Sequence, residues 1–225
     1  MNEMKQVPTG IKGLDEILGG GFPFPSVILV AGEPGSGKTT LALQSLFNGA
    51  KKGEKGIYIT GISEPIDQIQ IMMSNFTFYD PDTVKNGLVK FLDIGEVLFT
   101  DGPHTALDLV TNIVLKEDVK RIAIDPITTI SYAFSEPKQY RKFLHDFFVT
   151  IKSLEVLTLL IAEFTPDLIH HPESFMVDGV IFMYLQNLEN PLVFKPGIQI
   201  RKMRGVEHTR DILRLGFTKD GIRIL

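Results

Sequence analysis

The chain has 225 residues, a formal net charge of −4, 44% hydrophobic and 22% charged residues, and no cysteine. This length and composition suit one larger α/β or β domain whose core needs no covalent staples. The missing cysteine excludes a disulfide scaffold, a thiolate-ligated zinc or iron–sulfur centre and a thiol nucleophile, and the mild acidity argues against a surface coated for nucleic acid.

The first residues, Met1-Asn2-Glu3-Met4-Lys5, carry an acid and no apolar stretch, unlike a signal peptide. Residues 26–31 (SVILVA) form an apolar run of strand length. Residues 38–50 place Ala42, Leu43, Leu46, Phe47 and Ala50 at helical spacing, and Lys51-Lys52-Gly53 ends that pattern. Residues 56–60 (GIYIT) predict a second strand, after which Pro65 suits a first helical position with Ser63 or Glu64 as cap. A third strand is expected at 88–93, a helix at 105–115 with Ala106, Val110, Ile113 and Val114 inward, and a fourth strand at 121–125. The clearest helix spans 137–154, where Tyr140, Phe143, Leu144, Phe147, Phe148 and Ile151 make one apolar stripe that core packing explains without a ligand. A fifth strand is expected at 156–163.

The texture then changes. Residues 179–185, 197–203, 213–218 and 221–225 are strand-like with little helix between them, and Lys219-Asp220-Gly221 is a hairpin turn signal. Alternating β/α units followed by a β-rich tail imply a mainly parallel, helix-flanked α/β sheet extended by antiparallel strands. No repeat, linker or low-complexity stretch interrupts it, so residues 1–225 are expected to form one domain. No apolar run approaches the ~18 residues of a membrane span, and a soluble cytoplasmic protein is expected.

The strongest motif is Gly32-Glu33-Pro34-Gly35-Ser36-Gly37-Lys38-Thr39, a full G-x-x-x-x-G-K-[ST] match followed by Thr40. It leaves an apolar strand and opens a helix, as a phosphate loop must. Its glycines permit backbone angles that turn successive N–H groups inward, where they and the helix N-terminus bind phosphate oxygens. Lys38 reaches the β and γ phosphates in this scheme, and the Thr39 hydroxyl ligates Mg²⁺. The second element is Arg121-Ile122-Ala123-Ile124-Asp125, which puts a carboxylate at the C-terminal end of a buried strand, where open α/β sheets bind ligands. Asp125 is expected to hold Mg²⁺ directly or through water. Two strand segments separate these motifs in the chain. That insertion resembles the ATPase branch that includes RecA, in which a strand sits between the two motif strands.

Gly10-Ile11-Lys12-Gly13-Leu14-Asp15-Glu16-Ile17-Leu18-Gly19-Gly20-Gly21-Phe22-Pro23 resembles the lead-in of KaiC-like ATPases of the RecA/RadA superfamily. Residues 52–60 (KGEKGIYIT), Val177-Asp178-Gly179-Val180-Ile181, Ile200-Arg201-Lys202-Met203-Arg204-Gly205, His208 and Gly221-Ile222 are similar to that family as well. The resemblance runs from about Gly10 to Leu225 and covers a single KaiC-type domain. It implies a RecA-like P-loop fold, ATP with Mg²⁺, and a ring homo-oligomer, usually a hexamer, with ATP between subunits. Lys202 and Arg204 match the family's Lys-x-Arg, which reaches the neighbour's γ-phosphate. Cations supplied in trans are a sensible means of stabilising charge in phosphoryl transfer. His208, which follows that pair, falls near the neighbour's nucleotide on the same reading.

Two departures stand out. The family's paired glutamates after the second strand align with Ile62 and Ser63, neither of which can polarise water well. Glu64, one residue later, is the leading candidate base, with Glu163 a second carboxylate to watch. Ser174-Phe175 stands where the clock protein's kinase half has its Ser-Thr acceptor pair, and Phe175 has no hydroxyl to phosphorylate. Adjacent His170 and His171 point apart in an extended segment and make no metal site; His104, in a turn, His145, on a charged helix face, and Phe24-Pro25 receive no role. The expected function is an ATP-binding regulatory or signalling switch, a slow Mg-dependent ATPase. The rivals are a RadB-like recombinase accessory protein that binds single-stranded DNA and a nucleotide-dependent assembly protein without turnover. The net charge is itself an average: residues 195–225 hold eight Lys/Arg against three Asp/Glu, the rest fifteen against twenty-four. The basic tail carries Lys202 and Arg204, and the acidic remainder disfavours broad nucleic-acid binding.

Overall fold

The computed structural model describes residues 5–61, 65–164, 172–185 and 195–225. The chain opens with β1 (Gln6–Val7), α1 (Leu14–Ile17) and β2 (Phe22–Pro23), β1 and β2 pairing antiparallel. The α/β body follows as β3 (Ser26–Gly32), α2 (Lys38–Ala50), β4 (Lys55–Thr60), α3 (Ile66–Met73), α4 (Pro81–Lys85), β5 (Val89–Asp93), α5 (Gly95–Thr100), α6 (Pro103–Glu117) and β6 (Val119–Asp125). A 3₁₀ segment at Ile127–Ala133 leads into α7 (Pro137–Ser153), β7 (Leu157–Ala162) and the short α8 (Pro172–Met176). The tail consists of β8 (Gly179–Tyr184), β9 (Gly197–Met203), β10 (Leu213–Thr218) and β11 (Gly221–Ile224).

Among the described residues one nine-stranded sheet runs β11-β10-β9-β8-β3-β7-β6-β4-β5. The strands from β8 to β5 pair parallel, and β9, β10 and β11 add on antiparallel. The mainly parallel α/β sheet with an antiparallel C-terminal extension is therefore as expected. One strand does lie between β3 and β6, but it is β7; β4 and β5, which intervene in the chain, lie outboard.

β3 is buried along its whole length because both its faces are covered. Val27, Leu29 and Ala31 point into the layer made with α6 and α7, whereas Ile28 and Val30 point into the layer made with α2 and the N-terminal lead-in. The α7 stripe from Tyr140 to Ile151 is buried as its spacing requires. Each such side chain contributes about 1.5–3 kcal/mol when fully covered. Ile11, Leu14, Leu18 and Phe22 of the lead-in are fully buried against α2, so that segment is part of the core.

Local differences have local causes. α3 begins at Ile66 because Pro65 is extended (ψ 138°) and serves as the N-cap, not as the first helical residue. Pro103 takes the first position of α6, which therefore starts earlier than expected, and His104 lies in its first turn with its ring edge-on to Phe143 at 5.3 Å. The β10–β11 hairpin turns through Lys219-Asp220, with Thr218 paired to Gly221.

A buried cation ties the layers together. Arg121, on β6, donates through Nε to Glu54 Oε2 at 2.6 Å and through Nη1 to the Pro8 and Ser45 carbonyls, both at 3.0 Å. One side chain thus joins β6, α2, the α2–β4 turn and the lead-in. Gly49 makes room for it, since a Cβ there would sit 2.5 Å from Arg121 Nε. The tail is joined to α2 by Gln44, whose amide accepts from Ile222 N at 2.8 Å and donates to the Gly10 and Ile222 carbonyls at 2.8 and 3.1 Å. Among the described residues no helix is long and apolar enough to cross a membrane.

Candidate nucleotide-phosphate site

Gly32 ends β3 and Lys38 opens α2, so Glu33, Pro34, Gly35, Ser36 and Gly37 form the loop between them. Two glycines are sterically required. A Cβ on Gly32 would lie 2.1 Å from the Met183 carbonyl of β8, and Gly37 has φ 95° with the Phe217 ring 2.7 Å from where a Cβ would be. The first turn of α2 leaves its N–H groups facing the loop. Buried Lys38 folds back and donates through Nζ to the Gly32 and Glu33 carbonyls at 3.0 and 2.8 Å. Burial lowers its pKa, and the nearby charges of Glu163, Asp125 and Glu33 oppose that shift.

Thr39 Oγ1 donates to Asp125 Oδ2 at 2.6 Å, and the Tyr58 hydroxyl donates to the same oxygen at 2.7 Å. Burial pushes the Asp125 pKa up, while these two hydrogen bonds and the charge of Lys38 pull against it. The bonds matter because a buried carboxylate is otherwise driven to its neutral form. Tyr58 is a partner that the sequence reading missed. Its signal was available in the strand pattern: Tyr58 pairs with Ala123 and Thr60 with Asp125, so a long side chain at 58 reaches the carboxylate diagonally.

Glu33 turns away from the cleft and accepts from Leu185 N at 3.0 Å, so its carboxylate braces the chain after β8. The Ser36 hydroxyl is buried and has no hydrogen-bond partner among the described residues. Pro34, Gly35, Gly37, Lys38, Thr39, Thr40 and Asp125 share one cleft of about 510 Å³. Ile69, Met72, Met73 and Phe217 form its apolar wall, with Met72 and Phe217 substantially exposed. A hydroxyl and a carboxylate in contact, beside a lysine and a helix N-terminus, are hard-oxygen and anion-binding groups in one place. They fit Mg²⁺ and a phosphate chain, and the unpartnered Ser36 hydroxyl leaves a further donor at the loop.

Residues 7–225 match the family model described as "ATPase: KaiC". The chain belongs to the KaiC ATPase family. A KaiC-like protein of Pyrococcus horikoshii OT3 has a solved structure that superposes with a TM-score of 0.86 at 28% identity, covering 99% of both chains. The sequence is 28% identical to a UPF0273 protein of Thermotoga maritima over 98% of this chain and 96% of that one. It is 29% identical to the circadian clock oscillator protein KaiC of Parathermosynechococcus lividus over 100% of this chain but only 43% of the relative. The fold is accordingly RecA-like, and membership in the KaiC ATPase family implies nucleotide binding, typically of ATP with Mg²⁺.

Within this KaiC-family chain the Lys-x-Arg residues stand apart from the cleft. β8 runs antiparallel to β9, with Val180 opposite Lys202 and Gly179 opposite Met203, while Gly179 also pairs with Ile28 near the start of β3. Lys202 therefore comes level with Leu29 and Arg204 with Val27, about 10 and 17 Å short of Gly32 along the strand direction, toward the end of the sheet away from the phosphate loop. Lys202 Nζ donates to the Val177, Ser174 and Phe175 carbonyls at 2.7, 3.3 and 3.4 Å, and burial lowers its pKa. Arg204 Nη1 pairs with Asp178 Oδ1 at 3.2 Å, an oxygen that Lys152 also contacts at 2.9 Å. Both side chains are thus engaged with residues 174–178, away from their own chain's loop. Ser174 and Phe175 lie in α8, with Phe175 exposed. His208 lies in the irregular segment between β9 and β10 and does not line the cleft. Glu64, with Ile62, Ser63, His170 and His171, lies outside the described residues. Glu163, at the end of β7, lines the cleft and is exposed.

Proposed function

We propose that this chain is a single-domain, ATP-binding switch of the RecA superfamily that hydrolyses ATP slowly with Mg²⁺ and works in a ring homo-oligomer. The observation that carries the reading is the contact of Thr39 with Asp125 at the mouth of a cleft that also holds Lys38. The backbone of residues 32–37 binds the phosphates, and Lys38 leaves the Gly32 and Glu33 carbonyls to pair with the β and γ phosphates. Thr39 and Asp125 hold Mg²⁺, which supplies charge neutralisation to the phosphate chain. Tyr58 keeps Asp125 oriented and favours its charged form against burial. Met72 and Phe217 offer an apolar surface to the base.

Lys202 and Arg204 act in trans. Their place toward the end of the sheet away from the loop supports a head-to-tail ring, in which each subunit gives its loop to one neighbour and its Lys-x-Arg to the other. The regulatory role follows from this coupling, because nucleotide state then decides whether Lys202 holds α8 or a neighbour's phosphate.

The test is calorimetric titration with ATP, with and without Mg²⁺, alongside light scattering for size. Mg-dependent binding that Lys38→Met abolishes supports the reading, and no binding refutes it. A particle that stays monomeric with ATP and Mg²⁺ at micromolar concentration refutes the ring and the trans role alone. Salt-dependent retention on single-stranded DNA would favour the recombinase-accessory alternative.

A further inference from the structure

We propose that Glu163 is the carboxylate that orients the attacking water and takes its proton when this chain hydrolyses ATP, an inference that rests on the nucleotide reading above. The paired positions that would carry such a group after β4 are Ile62 and Ser63 in this sequence, and the neighbouring Glu64 lies outside the described residues, so the carboxylate is sought among the groups that line the cleft. Among the described residues only two acidic side chains line the cleft, Asp125 and Glu163. Asp125 is committed, since one of its oxygens accepts from both Thr39 and Tyr58. Glu33 is held by Leu185 N and does not line the cleft.

The sheet puts Glu163 where such a group has to stand. β7 lies between the loop strand β3 and the Asp125 strand β6. Ala162 pairs with Ala31, so Glu163 comes level with Gly32, and Leu160 pairs with Ile124, so Asp125 comes level with Ile161. Glu163 is thus two residues, about 7 Å, further out along the strand direction than Asp125. Its charge is felt by both Lys38 and Asp125, which places it within electrostatic reach of the groups assigned to the γ-phosphate and the metal.

A second cavity, of about 460 Å³, meets the cleft at this residue. Glu163 lines it together with Thr128, Ser131, Tyr132 and Arg141. Glu163 therefore stands in the wall between the phosphate cleft and a hydroxyl-lined chamber able to supply water. The step balances without a further reactant. The water oxygen bonds to the γ-phosphorus, the bond from that phosphorus to the bridging oxygen breaks, and ADP leaves with the electron pair. The water proton passes to Glu163 and from there to solvent.

The experiment measures phosphate release at saturating ATP and Mg²⁺, with affinity measured separately by calorimetry. Glu163→Gln is expected to slow release about a hundredfold, the range of general-base loss. Its ATP affinity should be unchanged or tighter, because a negative charge near the phosphates is removed. Glu163→Ala should regain part of its rate with added formate, and Glu163→Gln should not, a readout that a structural role would not move. The exposed position makes both variants foldable, which thermal unfolding checks, and the formate response of the Ala variant suffices if the Gln variant does not fold. Release by Glu163→Gln within threefold of wild type overturns the assignment. So does a larger loss in Glu64→Gln, or a wild-type protein that binds ATP with Mg²⁺ and releases no phosphate. Failure of the wild type to bind ATP at all refutes the nucleotide reading itself, a different result.

Discussion

Arg121 offers the most direct test of what holds the site in place. Its side chain is 2% exposed and its ion-pair partner Glu54 is 27% exposed, at 2.6 Å. Arg121→Met keeps the aliphatic stem and removes the cation. Glu54 then loses its partner, and the carbonyls of Pro8 and Ser45 lose their donor inside the core. Removing one member of a buried ion pair costs about 3–5 kcal/mol, since the remaining polar groups stay desolvated. One kcal/mol lowers the midpoint by roughly 2–4 °C in a domain of this size, so a fall of roughly 6–20 °C is expected. Arg121→Lys should lie between, because an ammonium cannot reach all three elements with a planar fork. Gly49→Ala should also destabilise, by pushing a methyl to within 2.5 Å of Arg121 Nε. The assay is thermal and urea unfolding of the nucleotide-free protein, with Glu54→Gln closing a double-mutant cycle. A midpoint for Arg121→Met within about 2 °C of wild type would refute the reasoning and make the network energetically neutral.

The remaining predictions concern the cleft and the ring. The raised Asp125 pKa means that its burial favours folding at low pH and that this contribution is lost as pH rises through the folded value, above the ordinary Asp range near ~3.9. Asp125→Asn should therefore raise the unfolding midpoint of the nucleotide-free protein at neutral pH while abolishing Mg-dependent stabilisation by ATP; a lower midpoint would contradict the burial argument. Tyr58→Phe removes a donor to Asp125 and should cost about 1 kcal/mol of stability, read by urea unfolding, and weaken ATP binding with Mg²⁺ more than without it. Lys38→Met and Lys202→Met should each lose phosphate release alone. Mixed in equal amounts under subunit exchange they should recover about a quarter of it, since a ring interface needs an intact loop from one subunit and an intact Lys202 from the next. No recovery, with exchange verified, would refute the trans arrangement.

Much of the site could be read from the chain because its parts are local. The loop from Gly32 to Thr39 is one strand end, five loop residues and one helix start, and each required residue type is set by backbone geometry within that window. Tyr58, Glu33 and Glu163 were less accessible because their roles depend on which strands become neighbours. Thr39 and Asp125 are 86 positions apart and meet only through the folding of α2 over the sheet, with β7 lying between β3 and β6. The place of β7 between the motif strands brings the carboxylate at its end, Glu163, into the same cleft. Arg121 is a further case: it was visible as the first residue of an expected strand, but nothing in its neighbours announced a fully buried guanidinium joining three other segments.

By itself the sequence determined the alternation of strand and helix, the α7 stripe, the phosphate loop and the change to a β-rich tail. These are periodic or short-range patterns, and a period of 2.0 or 3.6 is imposed by the backbone whatever surrounds it. Only the tertiary structure decided that β7 separates the motif strands, that Glu33 faces away and Glu163 faces in, and that Lys202 and Arg204 engage residues 174–178, away from their own loop. Strand order and register are settled by long-range packing of both sheet faces at once, and no local pattern in the chain records that choice.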